Sequence, residues 1–272
     1  MASQTKVREM IAKNNAKKGG LSDKIVPIIL AIISAISILT TIAILFTLLT
    51  ETITFFTRVP LSKFFLSGTW NPTGSSPEFG IWALIIGTLK ITVIATIVAV
   101  PIGLGAAIYL NEYTSDRSRR IIKPILEILA GIPTIVFGFF ALTFVTPILR
   151  NLIPNLGEFN SISPGIVVGI MIVPMITSMS EDAMSSVPDK IREGAFGLGA
   201  TKFEVATKVV LPAATSGVVA SIVLGISRAI GETMIVSLAA GSSPTSSLSL
   251  TSSIQTMTGY IVEIATGDAA FG

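Results

Sequence analysis

The run Ile25–Leu49 carries no charged residue, and its apolar residues are continuous rather than alternating. As an α-helix it would measure about 37 Å, which is enough to cross a bilayer with some tilt. Lipid supplies no hydrogen-bond partner for the backbone, so only helices and closed barrels span it, and a continuous apolar run favours the helix. A secretory signal would have a shorter apolar core and a small-residue cleavage site, so we expect a retained membrane span.

The composition extends this conclusion to the rest of the chain. Half of the 272 residues are apolar and 13% are charged, whereas a soluble domain carries roughly a quarter charged residues. Five segments are long and apolar enough to span a membrane. They cover residues 25–49, 81–110, 124–149, 164–182 and 212–240. The sequence therefore predicts an all-α polytopic membrane protein, with a polar N-terminal segment at 1–24 and a transmembrane domain at 25–272.

The absence of two residue types excludes several kinds of chemistry. The chain contains no Cys and no His, which removes disulfides, thiol nucleophiles, histidine bases and most transition-metal sites. Its basic residues are not interleaved with aromatic residues as in a nucleic-acid-binding surface, so we expect no nucleic-acid partner.

The distribution of Lys and Arg predicts the orientation of the spans. Six of these residues lie in 1–24, four in 111–123 and four in 188–210, whereas the loops of the opposite side carry three. Basic residues are enriched in cytoplasmic loops. We therefore expect a cytoplasmic N-terminus, and we place residues 187–212, which we call the 187–212 loop, in the cytoplasm as well.

The 187–212 loop is the longest charged stretch between two apolar segments. Pro188 can begin a short helix, because the first turn has no use for the missing N–H, and Gly199 can end it. A second helical run reaches Val210. Two short helices joined at a glycine cannot span a membrane, so we expect them to lie along its face as a docking surface for a protein that drives the spans.

Residues 194–202 of the same loop bear a faint similarity to a phosphate-cradling loop. A Walker A motif needs Gly-Lys-Ser/Thr in that order after a strand, whereas here Gly199 is followed by Ala200. We find no Walker A motif in the sequence. If ATP drives this protein, we expect the ATP site on another subunit.

Arg228 and Glu232 are the intramembrane charges with the clearest functional potential. They are four residues apart and would share one face of a continuous helix. An arginine within the bilayer costs insertion free energy, and it is found there where it has an interaction partner or a function. One interpretation is an ion pair that neutralises itself and locks helices together. The other is a cationic fork, moderated by Glu232, that faces a path for a tetrahedral oxyanion.

Four further charged residues allow two interpretations each. Lys90 could face solvent or protein, or could contact substrate. Glu127 could be interfacial or could line a path. Glu181 and Asp182 close the fourth span; they could bind a cation, but carboxylates at a membrane edge are usually solvated.

Small residues and prolines predict local features of two spans. Gly165 and Gly169 form a small-xxx-small face that allows close contact with another helix. Residues 130–133, Ala-Gly-Ile-Pro, are expected to kink the third span, because proline removes a helical hydrogen bond.

The 187–212 loop resembles the cytoplasmic signature of ABC importer permeases. That signature reads Glu-Ala-Ala, three residues, Gly, then Ile-x-Leu-Pro. The matching residues here are Glu193-Gly194-Ala195, Gly199 and Val209-Val210-Leu211-Pro212, so Gly194 and Val209 depart from the pattern conservatively. In that family the first short helix is the coupling helix, which fits a groove on the ATPase. The resemblance implies that Glu193 helps to fix the turn and that Gly199 lets the two helices pack closely.

Further motifs narrow the resemblance to the phosphate importer permeases. They are Gly68-Thr69-Trp70-Asn71-Pro72, Phe79-Gly80-Ile81, Gly87-Thr88-Leu89, Leu129-Ala130-Gly131-Ile132-Pro133 and Arg228-Ala229-Ile230-Gly231-Glu232-Thr233. The ending from Thr258-Gly259-Tyr260-Ile261-Val262 to Gly267-Asp268 favours the PstC-type subunit over the PstA-type subunit.

This resemblance implies a fold, a function and a set of partners. The fold is the type I ABC importer permease fold. The family ends with one more helix, so we expect the chain to stop just before a sixth span. The partners would be a PstA-type permease, a PstB-type ATPase dimer that holds ATP and Mg²⁺, and an external PstS-type phosphate-binding protein. The chain itself would hold no cofactor and would not be an enzyme, and it would lie in the prokaryotic inner membrane.

The resemblance also implies roles for individual residues. Arg228 and Glu232 would line the substrate path. Coupling to the ATPase would involve Pro188, Arg192, Glu193, Gly194, Ala195, Gly199, Leu211 and Pro212.

Other functions stay open on the residues alone. An arginine serves any oxyanion, so sulfate or molybdate would suit the site as well as phosphate. An ion-coupled secondary transporter would need intramembrane carboxylates and no docking loop. A non-transporting scaffold or sensor would need neither intramembrane carboxylates nor a docking loop.

Overall fold

The computed structural model describes residues 21–72 and 74–267. The predicted N-terminal segment, residues 1–24, lies almost wholly outside this part of the chain. The chain divides into two compact units, Met1–Leu61 and Ser62–Gly272.

The first unit is described as one long helix, α1 (Leu21–Arg58). The predicted end of the first span at Leu49 was wrong, because α1 continues to Arg58. Residues 50–58 contain no Gly or Pro, and the hydroxyls of Thr52 and Thr54 donate to carbonyls one turn earlier in the same helix. The helix stops before Pro60, since a residue that precedes proline disfavours the helical conformation.

The second unit contains two short strands and twelve helical segments among its described residues. The strands β1 (Trp70–Asn71) and β2 (Glu78–Phe79) pair in antiparallel fashion. The helices are α2 (Leu61–Leu66), which begins at the boundary between the units, α3 (Trp82–Ile108), α4 (Asp116–Ala130), α5 (Thr134–Phe140), α6 (Thr146–Leu152), α7 (Ile162–Ser185), α8 (Asp189–Gly197), α9 (Lys202–Glu204), α10 (Leu211–Ala213), α11 (Thr215–Ile230), α12 (Met234–Ala239) and α13 (Met257–Thr266). Three π-helical turns join neighbouring helices, at Tyr109–Tyr113, Ala141–Val145 and Val205–Val210.

The described residues contain four helices long and apolar enough to cross a membrane, or five if one bent pair is counted. The four are Ile25–Arg58, Trp82–Tyr113, Thr134–Leu152 and Ile162–Ser185. The bent pair, Lys202–Ala213 and Thr215–Ile230, turns by 77° at its break. Counted as one, it brings the spans to the predicted five.

The third predicted span was placed too early. It begins at Thr134 rather than Pro124, because Gly131-Ile132-Pro133 ends one helix and Thr134 starts another. Residues 111–123 were expected to form a basic loop. Residues 116–123 instead begin the amphipathic helix α4, which Ser115 caps by accepting from the Ser118 N–H. The predicted kink at 130–133 is thus a complete break.

The fifth predicted span is not one continuous helix to Ala240. It breaks at Ala214, where the chain bends, and again at residues 231–233, between α11 and α12. Gly231 caps the end of α11, and a new helix begins at Met234.

The core of the second unit lies where α7 packs against α3. A Cβ placed on Gly165 would come within 2.7 Å of the Ile94 side chain, and one on Gly169 would come within 2.8 Å of Val98. The predicted small-xxx-small face is therefore confirmed: it brings two spans into close contact. Around this seam lie fully buried Ile91, Ile172 and Ile176.

Candidate coupling surface and intramembrane charges

The first helix of the 187–212 loop begins and ends at the predicted residues. Pro188 is the N-cap of α8, and the helix ends two residues before Gly199. Gly199 adopts a φ of +87°, and its N–H donates to the Phe196 carbonyl at 2.9 Å. This left-handed conformation closes the helix and costs glycine least.

Two roles expected from the resemblance were wrong. A Cβ on Gly199 would meet nothing within 4 Å, so glycine is needed here for its backbone conformation and not for close helix packing. Glu193 is exposed, and no hydrogen bond or ion pair of its side chain lies among the described residues. The neighbouring Arg192 points toward the interior and holds the connection between α7 and α8, through the carbonyls of Val187 and Met184.

The second helix of the loop starts at a capping box that the sequence analysis overlooked. Thr201 Oγ1 accepts from the Glu204 N–H at 3.3 Å, and Glu204 Oε2 accepts from the Thr201 N–H at 3.1 Å. Thr-x-x-Glu is a recognisable helix start in a sequence. The 77° bend places this helix roughly along the membrane face if α11 spans it.

The carboxylate of that capping box stays ionised. The Thr201 backbone N–H, together with hydrogen bonds from the Lys208 ammonium and the Thr201 hydroxyl, lowers the pKa of Glu204 to about 2. The cap is therefore present throughout the physiological pH range.

The two short helices leave an apolar surface uncovered. Leu198 is 91% exposed, and Ile191, Phe196 and Phe203 are also exposed. The opposite side of the loop is buried: Val205 and Val210 pack with Met184 and Val218. Exposed apolar patches of this kind mark interaction sites.

Replacing Gly199 with alanine is expected to destabilise the end of α8 by about 1–2 kcal/mol, because a Cβ disfavours the left-handed conformation. Thermal unfolding of the chain in detergent measures this loss. Gly194→Ala is the matched control, because Gly194 lies inside α8 with open space around it. Alanine there should raise stability by about 0.5–1 kcal/mol. Equal effects of the two substitutions would contradict the conformational argument.

Arg228 and Glu232 do not share a helix face. α11 ends at Ile230, and Glu232 follows the break. The Glu232 side chain is buried, and its Oε1 accepts from the N–H groups of Met234 and Ile235 at 3.2 and 3.3 Å. No ion pair joins Glu232 to Arg228 in the described part of the chain, so of the two interpretations that the sequence allows, the self-neutralising pair is wrong.

Arg228 is left exposed near the end of α11. Its guanidinium makes no hydrogen bond or ion pair with any residue that the structure describes. It lies about 20 Å along the helix from Thr215, which places it well within the bilayer if α11 spans it. An arginine at such depth is available to a charged partner or an anion.

Lys90 faces protein. Its side chain is buried, and Nζ donates to the carbonyls of Ser247 and, at 2.8 Å, Ser249. The ammonium therefore fixes the Ser- and Thr-rich segment after α12. No carboxylate pairs with it among the described residues.

The carboxylates at the end of α7 form ion pairs. Glu181 is fully buried and pairs with Arg119 and, at 2.9 Å, with Lys123; Lys123 also pairs with exposed Asp182. The expectation of solvated carboxylates was wrong for Glu181, because α4 folds back over it. In the described residues no group of His, Cys, Asp and Glu is placed to hold a metal ion.

Glu127 agrees with the interfacial interpretation, since it lies on α4 before the span that starts at Thr134. It lines a cleft of about 370 Å³ together with other residues of the same helix. A second cavity of about 370 Å³ lies between α12 and α13, and its polar lining includes Gln255, Glu263 and Ser237. Sequence reasoning missed this cavity, because its walls come from segments that show no shared pattern.

Residues 99–271 match the sequence model of a family described as the inner membrane component of binding-protein-dependent transport systems. The match covers more than half of the chain. The chain therefore belongs to this family, and it is an all-α polytopic membrane protein with the type I ABC importer permease fold.

Several curated proteins are similar to the chain. A probable ABC transporter permease protein, YqgH of Bacillus subtilis, is 38% identical over 180 residues, which are 66% of this chain and 58% of that protein. The phosphate transport system permease protein PstC of Haemophilus influenzae is 36% identical over 200 residues, or 66% of this chain and 63% of its own length. PstC of Mesorhizobium japonicum is 35% identical over 207 residues, or 69% and 63%. The predicted resemblance to PstC-type permeases is confirmed.

The chain spans about three fifths of the length of these relatives. Among solved structures, a chain of the MetNI methionine ABC transporter in an inward-facing conformation is 20% identical, with a TM-score of 0.43, over 56% of this chain and 68% of that one.

Proposed function

We propose that this chain is a permease subunit of an ATP-driven importer of inorganic phosphate. The observation that carries the proposal is the 187–212 loop: two short helices, capped at Pro188 and Thr201, present exposed apolar side chains beside the ends of the spans. Such a surface suits the docking of a partner protein whose movement would be passed on to the spans. The named function of the PstC relatives supports phosphate as the substrate.

In the proposed mechanism a partner protein hydrolyses ATP, and this chain lines the path of phosphate through the membrane. ATP and Mg²⁺ would be held by a PstB-type ATPase dimer. Closure of that dimer would push α8 and rock the spans from inward- to outward-facing. Arg228 would then offer a transient positive site, because a guanidinium matches the oxygens of a tetrahedral anion. A single exposed arginine would bind the anion weakly enough to release it again.

The exposure of Arg228, which has no bonding partner among the described residues, also supports the presence of a second permease subunit beside it. An exposed arginine within a span needs a polar or charged environment. A PstA-type subunit across the path would supply one, and a PstS-type binding protein would deliver phosphate from outside. The complex would lie in the inner membrane of a prokaryote, with the N-terminus and the 187–212 loop in the cytoplasm.

Reconstitution of the full complex in proteoliposomes tests the proposal. ATP enclosed with the ATPase should drive uptake of labelled phosphate supplied with the binding protein, and sulfate or molybdate in excess should not compete. Uptake that persists without ATP under an imposed ion gradient would favour a secondary transporter. Competition by sulfate or molybdate would assign another oxyanion.

Orientation can be tested on the chain reconstituted alone, without the ATPase that is proposed to cover Leu198. The chain has no cysteine, so Leu198→Cys and Ser246→Cys each introduce one label site on an exposed residue. We expect an impermeant thiol reagent to reach Ser246→Cys from outside and Leu198→Cys only from the cytoplasmic side. The reverse pattern would overturn the proposed topology.

A further inference from the structure

Arg192 is the residue of α8 that reaches furthest into the rest of the unit. Its side chain is 14% exposed. Nε donates to Glu112 Oε1 at 3.2 Å, and one terminal nitrogen donates to Asn111 Oδ1 at 3.1 Å. Both acceptors lie on the π-helical turn Tyr109–Tyr113, which directly continues α3.

The same guanidinium also holds the end of α7. Its two terminal nitrogens donate, each at 2.7 Å, to the carbonyl of Met184 in the last turn of α7 and to that of Val187, two residues after the helix. The last carbonyls of a helix lack intrahelical partners and carry its negative dipole end, so a cation is favourable there. A further bond to Asp189 at 2.9 Å fixes the side chain to its own helix.

These contacts suit arginine in particular. The guanidinium is a rigid, planar fork with five donors, whereas lysine offers a single flexible ammonium. Glu112 has only 6% of its side chain exposed, so its charge depends on Arg192 for compensation. The acceptors also sit on a π turn, a form that is frequent at functional positions in helices.

We propose that Arg192 is a positioning residue that transmits displacement of α8 to α3 and α7 together, through Glu112 and the carbonyls at the end of α7. This inference rests on the proposed function and deepens it, because it names the link between the docking surface and two spans. Glu193 contributes no such link, since its side chain points to solvent. The transmitted movement is a rigid shift of three helix ends joined by one side chain.

The test uses the reconstituted complex and measures phosphate transported per ATP hydrolysed. Arg192→Gln should lower this ratio by about tenfold while ATP hydrolysis and co-purification of the ATPase persist. Glu112→Gln should lower it by less, because Arg192 still donates to the carbonyls of Met184 and Val187. Because Arg192→Gln already removes the bond to Glu112, the double variant should be no worse than Arg192→Gln alone. Arg192→Lys keeps the charge without the fork and should fall between wild type and Arg192→Gln.

Arg117→Gln is the matched control, since Arg117 is an exposed arginine on α4 with no bond among the described residues. It should leave the ratio unchanged. Losses that multiply in the double variant would overturn the link between Arg192 and Glu112. Loss of the ATPase from Arg192→Gln preparations would make Arg192 a docking residue instead, which also overturns the proposal.

A separate readout distinguishes this inference from the proposed function. Hydrogen exchange of residues 109–114 in the detergent-solubilised chain should speed up about tenfold in Arg192→Gln but not in Arg117→Gln. If wild-type complexes move no phosphate, the proposed function fails while this measurement still tests the link. Faster exchange with an unchanged transport ratio would leave Arg192 a purely structural role and would overturn the proposal.

Discussion

Replacement of Arg228 by glutamine is expected to lower ATP-driven phosphate uptake by reconstituted complexes about 30-fold or more. Glutamine keeps much of the volume but removes the positive charge and the paired donors. Charge-assisted hydrogen bonds contribute about 1.5–3 kcal/mol each, so loss of one or two has an effect of this size. The initial rate of labelled phosphate uptake, at equal amounts of assembled complex, measures it.

Two variants make the result specific to the charge at this depth. Arg228→Lys keeps the charge and loses the planar fork, so it should retain intermediate uptake. Arg150→Gln changes an exposed arginine of α6 in the same way and should leave uptake near the wild-type rate. Undiminished uptake by Arg228→Gln would remove this residue from the path.

Replacement of Gly169 by alanine is expected to lower the free energy of unfolding by about 1–3 kcal/mol, the usual cost of overpacking a close contact. The new Cβ would lie 2.8 Å from the Val98 side chain and 2.9 Å from the Ala95 carbonyl oxygen. Backbone cannot move aside without separating α3 from α7, which form the core seam. Thermal unfolding of the purified chain in detergent measures the change.

Gly105 supplies the control within α3, because a Cβ there meets nothing within 4 Å. Gly105→Ala should raise helix stability by up to about 1 kcal/mol, since alanine is the better helix former. The two identical substitutions are therefore expected to have opposite signs. If both stabilise the chain, the contact at Gly169 is looser than the structure indicates.

Local pattern determined much of the architecture. The charge-free run after Ile25 was enough to predict a first spanning helix, although not its end at Arg58. Pro188 and Gly199 marked both ends of α8, because helix starts and stops depend on backbone chemistry within a few residues. Gly165 and Gly169 predicted a close helix contact because residues four apart share a helix face and glycine has no side chain to keep a second helix away. Predicted span boundaries were wrong where an apolar stretch contains a helix break. At Pro133 two helices, α4 and α5, are separate, although the hydropathy of the sequence had joined them into one span.

The charged residues show what the sequence by itself left open. Charge and expected depth determined that Arg228 needs a partner or a purpose, but not which, and they did not show that Glu181 and Arg192 have partners. Only the tertiary structure decided that Glu181 is buried against Arg119 and Lys123, that Arg192 reaches Glu112, and that Glu232 caps α12 instead of pairing with Arg228. The partners of Glu181 and Arg192 lie some 60 to 80 residues away in the chain. The physical reason is that local propensities act over one or two helical turns, whereas a buried charge is compensated by whatever group the packed helices bring beside it.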